Sequence, residues 1–478
     1  MGGDEDLREL VKGLVERVEQ LERDVADRDA IIGQQQRRID DLESRVKRDS
    51  RTSSRPPSSD APWSKRRRRR KPPSGKQQGA QPGHAGTTRP LADADDVDEI
   101  IDHEPDACTR CGHADLERLE RPPHRYQVSE IPQQLITLVE HRLHRARCRR
   151  CGETVTAPLP GGATKSAFGP RLQALTASLS GVYRLSRREV TRLLSEVFGV
   201  SMSPGTVSAI EERASRALST AHAEALGAVR TSPVLNVDET PWPLRGDLHW
   251  LWTAVGGHAI AHRIDRRRNA DAMRRLIGKR FCGVLGTDRM GAYDKHAIER
   301  RQLCWAHIER DLRALAEGPR GGRRFGRRGV KIAQAVMRAH RRFTEHGDRE
   351  QMQRELRPVW DRLVDLLVRG ADDPNKKVRG ISRHLIDRAE ALLVFADAPG
   401  VSPTNNAAER AVRKPVLWRR GCHGSQSERG LRFAERILTV TATIRRRGDN
   451  VFDYLAATTD AVARNRSPPA LVTLPNSR

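Results

Sequence analysis

The chain has 478 residues, enough for about two to four domains. Its hydrophobic content of 37% is below the ~45–50% of ordinary globular domains, so we expect part of it to be poorly packed. Lys and Arg total 87 against 62 Asp and Glu, and the net charge of +25 predicts a polyanionic partner, with nucleic acid as the first candidate. The plainer alternative is a solvated, Arg-rich surface. No apolar run reaches the ~18 residues of a membrane span and no signal-peptide core is present, so we expect a cytoplasmic protein without a membrane partner.

Residues 1–50 carry a heptad pattern, with Val or Ile every seven residues and Leu at several complementary positions. β-Branched residues at position a with Leu at position d favour a parallel two-stranded coiled coil. We therefore predict an oligomerising helix and a homodimer or higher oligomer. Arg28, Gln35 and Asp49 interrupt the leucine series, and the alternative is an amphipathic helix packed on its own protein. The β-branched positions are Val11, Val18, Val25, Ile32, Ile39 and Val46, and the leucines are Leu7, Leu14, Leu21 and Leu42.

Residues 51–100 are predicted to be a basic linker rich in Pro and Ser. Such a segment cannot bury enough apolar surface to fold alone. A continuous cationic run within it predicts DNA-phosphate contacts that are salt-sensitive and independent of sequence. A solvated linker without a DNA role is the alternative. The run consists of Lys65, Arg66, Arg67, Arg68, Arg69, Arg70 and Lys71.

Residues 101–160 contain two CxxC pairs, Cys108 with Cys111 and Cys148 with Cys151, each followed by Gly. Four thiolates suit a closed tetrahedral Zn²⁺ site, and in a reducing compartment such pairs indicate metal binding rather than disulfides. The loop between the pairs exceeds the ~15–20 residues of the commonest short form. We predict a zinc-binding module with structural Zn²⁺, and a redox pair is the alternative.

Residues 161–230 have helical patterns, with Ser186 as a plausible N-cap of one helix. The sequence SMSPGT lies between two short amphipathic helices, which indicates a helix-turn-helix-like region in which the helix from about Thr206 reads DNA. Simple packing of a helical hairpin is the alternative. Together these segments predict a multidomain protein.

Residues 231–447 predict an α/β domain, in the order three strands, a helix, a strand and a helix, followed by a helical, Arg-rich insertion at about 313–398. Gly256-Gly257 predicts a hairpin turn. Two short apolar strands end in acid, at Asp238 and Asp288, and Glu409 lies in the first turn of a later helix. Residues 448–478 form a C-terminal segment whose end resembles a loose tail.

Asp238, Asp288 and Glu409 are candidate catalytic residues and candidate ligands of Mg²⁺ or Mn²⁺. Phosphoryl transfer on DNA uses two divalent ions held by carboxylates that converge from distant parts of the chain. Singly, each acid also fits a structural role: Asp at a strand end is often a turn residue, and Asn406 with Glu409 fits a capping box. Other acids could replace one of the three, and Glu428 is the strongest competitor; the others are Glu239, Asp294 and Glu435.

Cationic residues flank Glu409. Arg410, Arg413 and Lys414 follow it directly, with Arg419 and Arg420 beyond. Cations beside a carboxylate cluster suit phosphate binding, so we expect the first three to contact DNA, although they suit ordinary solubility equally.

The chain contains, in this order, the blocks SSRPPSSD, QPGHAG, the two CxxCG pairs, VDETPW, GTDRMGAYDK, CWAHIERDL, NNAAERAVR, GCHGSQSERG and NVFDYL. In these blocks and their order the chain resembles the transposases of insertion sequence 66, a family of DDE-type transposases. The likeness covers nearly the whole chain. Thr404 stands where the family usually has another residue before its Asn pair.

The resemblance implies a ribonuclease-H-like catalytic core at 231–447, with Asp238, Asp288 and Glu409 as metal ligands. It implies Mg²⁺-dependent cleavage and strand transfer at terminal inverted repeats of double-stranded DNA, helped by small accessory proteins of the same element. The alternative is a zinc-containing DNA-binding regulator without catalysis, such as an inactive transposase copy. An RNA scaffold is a weaker alternative because aromatic residues, on which single strands stack, are only 4%.

Overall fold

The computed structural model describes residues 3–46, 91–107, 109–117, 121–132, 135–159, 166–318 and 320–472. These residues fall into two compact units. One lies within residues 65–141, and the other combines residues 1–64 with 142–478. The predicted cationic run from Lys65 to Lys71 lies outside the described residues.

The unit within residues 65–141 is mostly extended chain. The backbone N–H of Ala92 donates to Gln127 Oε1 at 2.8 Å, and Gln127 Nε2 donates to the Ala92 carbonyl at 3.0 Å. Within the described part of this unit, the one regular element is a 3-10 turn at Ala94–Asp96. One side-chain amide thus ties two distant stretches of this unit together.

The predicted heptad segment is a single helix, α1 (Gly3–Val46). Its described heptad side chains are exposed, including Val18 at 53% and Val25 at 56%. The heptad side chains that the structure describes thus form an exposed apolar seam along α1.

A five-stranded mixed sheet forms the centre of the larger unit, in the order β5-β4-β3-β6-β7. β3 pairs antiparallel with β4 and parallel with β6, so it is the central strand. The predicted hairpin at Gly256-Gly257 is confirmed, because β4 and β5 pair antiparallel across it. The strands are β3 (Val234–Pro241), β4 (Trp250–Val255), β5 (Ile260–Asp265), β6 (Val284–Thr287) and β7 (Arg301–Leu303), and a separate hairpin pairs β1 (Arg145–Arg147) with β2 (Thr154–Thr156).

Helices cover this sheet and build one core with it. Alternate residues of β3, such as Leu235 and Val237, are fully buried in a cluster that includes Ile437 and Val440. Ser186 caps its helix through a capping box with Glu189, as predicted. The helices are α2 (Pro170–Gly181), α3 (Arg187–Phe198), α4 (Pro204–Ala217), α5 (Ser219–Arg230), α6 (Ala270–Ile277), α7 (Trp305–Glu317), α12 (Asn406–Cys422), α13 (Glu428–Arg447) and α14 (Val451–Ala463).

The predicted insertion is helical and has its own core, to which Leu312, Phe325, Val336 and Leu363 contribute. The Gly-rich stretch at its start forms the first turns of α8. Its glycines allow α8 to approach α7 closely, because a larger side chain would meet the α7 backbone. A Cβ on Gly326 would lie 2.3 Å from the backbone N of residue 316 in α7. The insertion helices are α8 (Arg320–His346), α9 (Arg349–Ala371), α10 (Lys376–Ile386) and α11 (Val394–Asp397).

The C-terminal segment is packed further than its composition suggests. Leu471 is fully buried, and its backbone N–H donates to Glu224 Oε2 at 2.6 Å. The expectation of a loose tail is therefore wrong as far as Val472, because Leu471 supplies apolar surface to the core; residues 473–478 lie outside the described part. Across the described ranges, the helices are all too short or too polar to cross a membrane.

Candidate active site

Asp238 and Asp288 come from neighbouring parallel strands. In the β3–β6 ladder Asn236 pairs with Gly286, and β6 ends at Thr287. Continuing this register by two residues brings Asp288 beside Asp238 on the same face of the sheet. Asp238 does not end its strand, as the sequence suggested: β3 continues to Pro241 because β4 still pairs with it, opposite Thr253.

Glu409 reaches the site from the first turn of α12. This helix packs on the β4–β5 hairpin through small side chains, and Ala408 is fully buried against Val255 and Ile260. The capping-box interpretation of Asn406 and Glu409 is wrong. The N-cap is one residue earlier, and the side chain there makes no capping hydrogen bond.

The three carboxylates interact electrostatically. Burial raises the pKa of Asp238 well above its ordinary value, and the negative charges of Glu239, Asp288 and Glu409 raise it further. Asp288 Oδ1 accepts the backbone N–H of Met290 at 2.9 Å. Within the described part of the chain, no Lys or Arg forms an ion pair with these three acids. Clustered negative charge without a cationic side chain suits a bound cation.

The four acids that could replace one of these three are bonded to other side chains or lie elsewhere. Glu239 accepts hydrogen bonds from Arg268 at 2.7 Å and from the Tyr293 hydroxyl at 2.6 Å. Asp294 is bonded to two arginines, and Glu435 accepts the backbone N–H of residue 264 and pairs with an arginine. Glu428 is exposed at the start of α13. Unlike Asp294, Glu428 and Glu435, Glu409 is among the groups whose charge raises the pKa of Asp238.

Cys304 and His307 lie against Glu409, although the sequence did not single them out as site residues. The distance from His307 Nδ1 to Glu409 Oε1 is 3.5 Å. Burial raises the pKa of the Cys304 thiol, while the backbone N–H groups of Asn405, His307 and Ala306 lower it. The sequence signal that could have found them is the Cys-x-x-His spacing at a helix start.

The carboxylate site fits Mg²⁺ or Mn²⁺ by its donor set. Asp238, Asp288 and Glu409 offer only oxygen ligands, which hard divalent cations prefer. Glu409 Oε1 is buried and has no hydrogen-bond donor. A buried carboxylate oxygen without a partner is costly, so a cation beside it would offset that cost.

The candidate DNA-contacting residues on α12 lie on its exposed side. Arg410, Arg413 and Lys414 are all exposed. Burial of part of the Lys414 side chain lowers its pKa, and the positive charges of Arg445 and Arg184 lower it further. These two arginines therefore lie near Lys414 and extend a cationic surface beyond α12.

The second CxxC pair lies in the turn between β1 and β2. The backbone N–H of Cys148 donates to the Glu153 carbonyl at 2.7 Å, and hydrogen bonds from the Cys151 and Arg150 backbone lower the pKa of the Cys148 thiol. Gly152 has a φ of 77°, and the glycine after the first pair has a φ of 75°. Cys111 is exposed, and Cys108 lies outside the described residues. The glycine that follows each CxxC pair therefore has a similar positive φ.

The helix expected to read DNA packs on its neighbours through one face. α4 buries Val207, Ile210 and Glu211 among others, and it packs on α2, α3 and α13. Its first turn, with Pro204 and Gly205, is exposed. The neighbouring α3 exposes Arg188 and Arg192.

The Transposase IS66 family model matches residues 165–433. Because the match spans more than half of the chain, the chain belongs to the IS66 transposase family. A second model, described as a family of unknown function, matches residues 4–90. An uncharacterized protein, y4hP, from Sinorhizobium fredii is 26% identical over 427 residues, which cover 80% of this chain and 74% of the relative. The helical architecture around a mixed sheet is consistent with a transposase domain.

Proposed function

We propose that this protein is a DDE-type DNA transposase that cuts and joins DNA at the inverted-repeat ends of an insertion sequence. The observation that supports the proposal is that the negative charges of Asp288 and Glu409 both act on buried Asp238, while no Lys or Arg in the described part of the chain forms an ion pair with any of the three. The family supports a transposase, and the acids supply the chemistry that such an enzyme needs.

The catalytic core is ribonuclease-H-like in this proposal. The support is the strand order β5-β4-β3-β6-β7, with β4 antiparallel to both of its neighbours and β3, β6 and β7 parallel. One acid lies on the central strand, one directly after the adjacent strand and one on the helix that follows the insertion. In a mixed sheet of this kind, the side chains at one edge come from distant parts of the sequence.

Each acid has a defined task. Divalent ions held here would lower the pKa of the attacking water or 3′-hydroxyl and stabilise the leaving oxygen. Asp238 and Asp288 provide oxygen ligands from adjacent strands whose spacing the β3–β6 ladder fixes. Glu409 provides a third from α12, which its alanine contacts hold against the sheet. In this proposal the three ligands lie on, or directly after, regular elements of the fold.

In this proposal DNA is held by a cationic surface near these acids. Lys414 lies near Arg184 and Arg445, so three elements contribute to one positive surface beside α12. Cations concentrated in this way bind phosphates without reading sequence. The run from Lys65 to Lys71 adds a further contact of the same kind in this proposal.

The four CxxC cysteines bind a structural Zn²⁺ in this proposal. The support is the CxxCG sequence of both pairs and the nearly equal positive φ of Gly112 and Gly152. The exposed heptad seam of α1 pairs protomers, and small accessory proteins of the same element complete the machinery. A zinc-binding module and an oligomerising helix are parts that a DNA-end-binding enzyme can use to bring two ends together.

Strand cleavage by the full chain tests the proposal. The substrate is a DNA fragment that ends in the element's own inverted repeat, with Mg²⁺ or Mn²⁺ supplied. We expect Asp288→Asn and Glu409→Gln to lower the cleavage rate at least ~1,000-fold, which corresponds to about 4 kcal/mol of activation free energy. DNA binding by both variants should persist.

Glu428→Gln is the matched control, since Glu428 is an exposed acid on the next helix. It should cleave like the unaltered protein. Loss of cleavage in the Glu428 variant with retention in the Glu409 variant would overturn the ligand assignment. DNA binding without any cleavage, with accessory proteins present, would favour the non-catalytic regulator.

A further inference from the structure

A second cluster of metal-ligating groups adjoins the carboxylates. The Cys304 thiol, the His307 imidazole and the Glu409 carboxylate each place one ligand atom within 4.8 Å of the other two. We propose that these three side chains bind a thiophilic divalent cation, with Zn²⁺ as the natural example. This site shares Glu409 with the carboxylate site but uses neither Asp238 nor Asp288.

Local sequence explains why a thiol and an imidazole meet here. Cys304 is the N-cap of α7, and His307 is its third helical residue. Side chains at these two positions of a helix face each other, as they do in a capping box. The backbone N–H of residue 305 also donates to the Pro403 carbonyl at 2.9 Å, which brings the segment before α12 to the start of α7. Glu409 then completes the set.

The two atoms that face each other lack hydrogen-bond partners. His307 Nδ1 and Glu409 Oε1 are both buried, and neither makes a hydrogen bond within the described structure. Their separation of 3.5 Å is close to the roughly 3.3 Å between two ligands of tetrahedral zinc at ordinary bond lengths. Buried polar atoms without partners are rare and call for an explanation. A cation between them provides one.

The Cys304 sulfur determines which cation this site prefers. Cys304 is buried, and its Sγ accepts the backbone N–H of Asn405 at 3.1 Å. An N–H donor at the sulfur and the positive end of the α7 dipole partly offset the effect of burial, and a bound cation would hold the sulfur as a thiolate. Thiolate and imidazole ligands favour Zn²⁺ and related ions, whereas Mg²⁺ prefers oxygen. The two adjoining sites therefore select different metals.

Sharing Glu409 makes the two sites compete. A cation bound by Cys304 and His307 draws the Glu409 carboxylate away from Asp238 and Asp288. This consequence rests on the proposed function, in which Glu409 completes the Mg²⁺ site. Zinc would then inhibit a reaction that magnesium supports.

Cobalt binding tests the site in the full chain. Co²⁺ replaces Zn²⁺ in such sites, and cobalt bound to sulfur absorbs through a charge-transfer band. The protein is depleted of metal, reloaded with Co²⁺, and the bound metal is counted for each variant. Cys304→Ser should lose one equivalent of cobalt and part of the charge-transfer band. Cys282→Ser, at an exposed cysteine, should lose neither, and all variants retain the CxxC cysteines.

A second variant is needed because the Cys304 sulfur also accepts a backbone hydrogen bond, so that Cys304→Ser could lose cobalt through misfolding. His307→Gln keeps the sulfur and should weaken binding of this one cobalt equivalent at least tenfold. Equal cobalt counts and equal spectra in the unaltered protein, Cys304→Ser and His307→Gln would overturn the proposal.

Asp238→Asn separates this inference from the proposed function. Asp238 is a ligand only of the carboxylate site, so its variant should lose strand cleavage and keep the cobalt equivalent that depends on Cys304. If the unaltered protein binds the Cys304-dependent cobalt but never cleaves DNA, the proposed enzymatic function would be refuted and the cobalt-binding site supported. Cleavage without the Cys304-dependent cobalt would refute the metal site alone.

Discussion

The side-chain amide of Asn405 donates a 2.8 Å hydrogen bond to the carbonyl oxygen of Val237, the residue before Asp238. Asn405 is also the N-cap of α12 and is almost fully buried. One hydrogen bond therefore fixes the start of the helix that carries Glu409 against the strand that carries Asp238.

Replacing this amide tests its positioning role. Asn405→Asp cannot donate to the Val237 carbonyl and places a carboxylate beside it, so we expect a loss of about 1–3 kcal/mol in the free energy of unfolding. Urea unfolding measures this loss. Asn406→Asp is the control, because Asn406 is exposed at the next position and an acid in the first turn of a helix is favourable. Equal stability of the two variants would contradict the role.

Asp238→Asn should make the metal-free protein more stable. The folded state raises the pKa of Asp238, so the folded protein retains a proton that the unfolded chain loses. The unaltered protein consequently loses stability as pH rises from the ordinary Asp range through the raised pKa. At neutral pH we expect the variant to gain about 1 kcal/mol or more.

Thermal unfolding with and without Mg²⁺ completes that measurement. Mg²⁺ should raise the melting temperature of the unaltered protein and not that of the Asp238→Asn variant, because ligand binding to the folded state alone stabilises it. An Mg²⁺ effect of the same size in both proteins would count against Asp238 as a ligand.

Tyr293→Phe removes the 2.6 Å hydrogen bond to Glu239. Both side chains are buried, and Glu239 also carries the ion pair with Arg268. We expect the variant to unfold with about 1–3 kcal/mol less free energy, since a buried carboxylate loses a donor. Tyr183→Phe, at an exposed tyrosine, should unfold like the unaltered protein in the same denaturant titration.

Mild acid should destabilise the fold through His262. Complete burial lowers the pKa of His262 to about 3 from 6.5, so the unfolded chain takes up a proton before the folded protein does. Stability is then lost as pH falls from 6.5 towards 3, by about 2 kcal/mol at pH 5. Urea midpoints at pH 7 and pH 5 measure the loss.

His262→Gln should reduce that pH dependence, whereas His258→Gln, at an exposed turn residue, should not. Part of the dependence will remain in the first variant, because burial also lowers the pKa of His222. An unchanged difference between the two pH values in His262→Gln would show that other groups are responsible.

Local patterns in the sequence predicted much of the fold. Gly256-Gly257 between two apolar runs predicted the β4–β5 hairpin, and Ser186 marked the start of a helix; both are confirmed. The acids Asp238 and Asp288 were found because short apolar strands precede them. In each case the signal lies within a few neighbouring residues, where backbone preference and alternation act directly.

Contacts between distant residues could not be predicted in this way. Asn405 suggested only a polar helix start, yet its side chain bonds to a strand far back in the chain. His307 was one histidine among many until folding placed it 3.5 Å from Glu409. The tail with Leu471 has no periodic apolar pattern, yet the buried Leu471 side chain and its backbone bond to Glu224 dock it. Such contacts depend on the tertiary fold and not on local preference.

The helical insertion α8–α11 lies between Asp288 and Glu409 along the chain. A ribosome adds ~5–20 residues per second, so the roughly 120 residues from one acid to the other take about 6–24 s to synthesise. During that interval Asp238 and Asp288 have emerged, but the third carboxylate does not yet exist. Under the proposed function, a growing or truncated chain therefore cannot cut DNA, and the order of synthesis itself protects the genome from an unfinished enzyme.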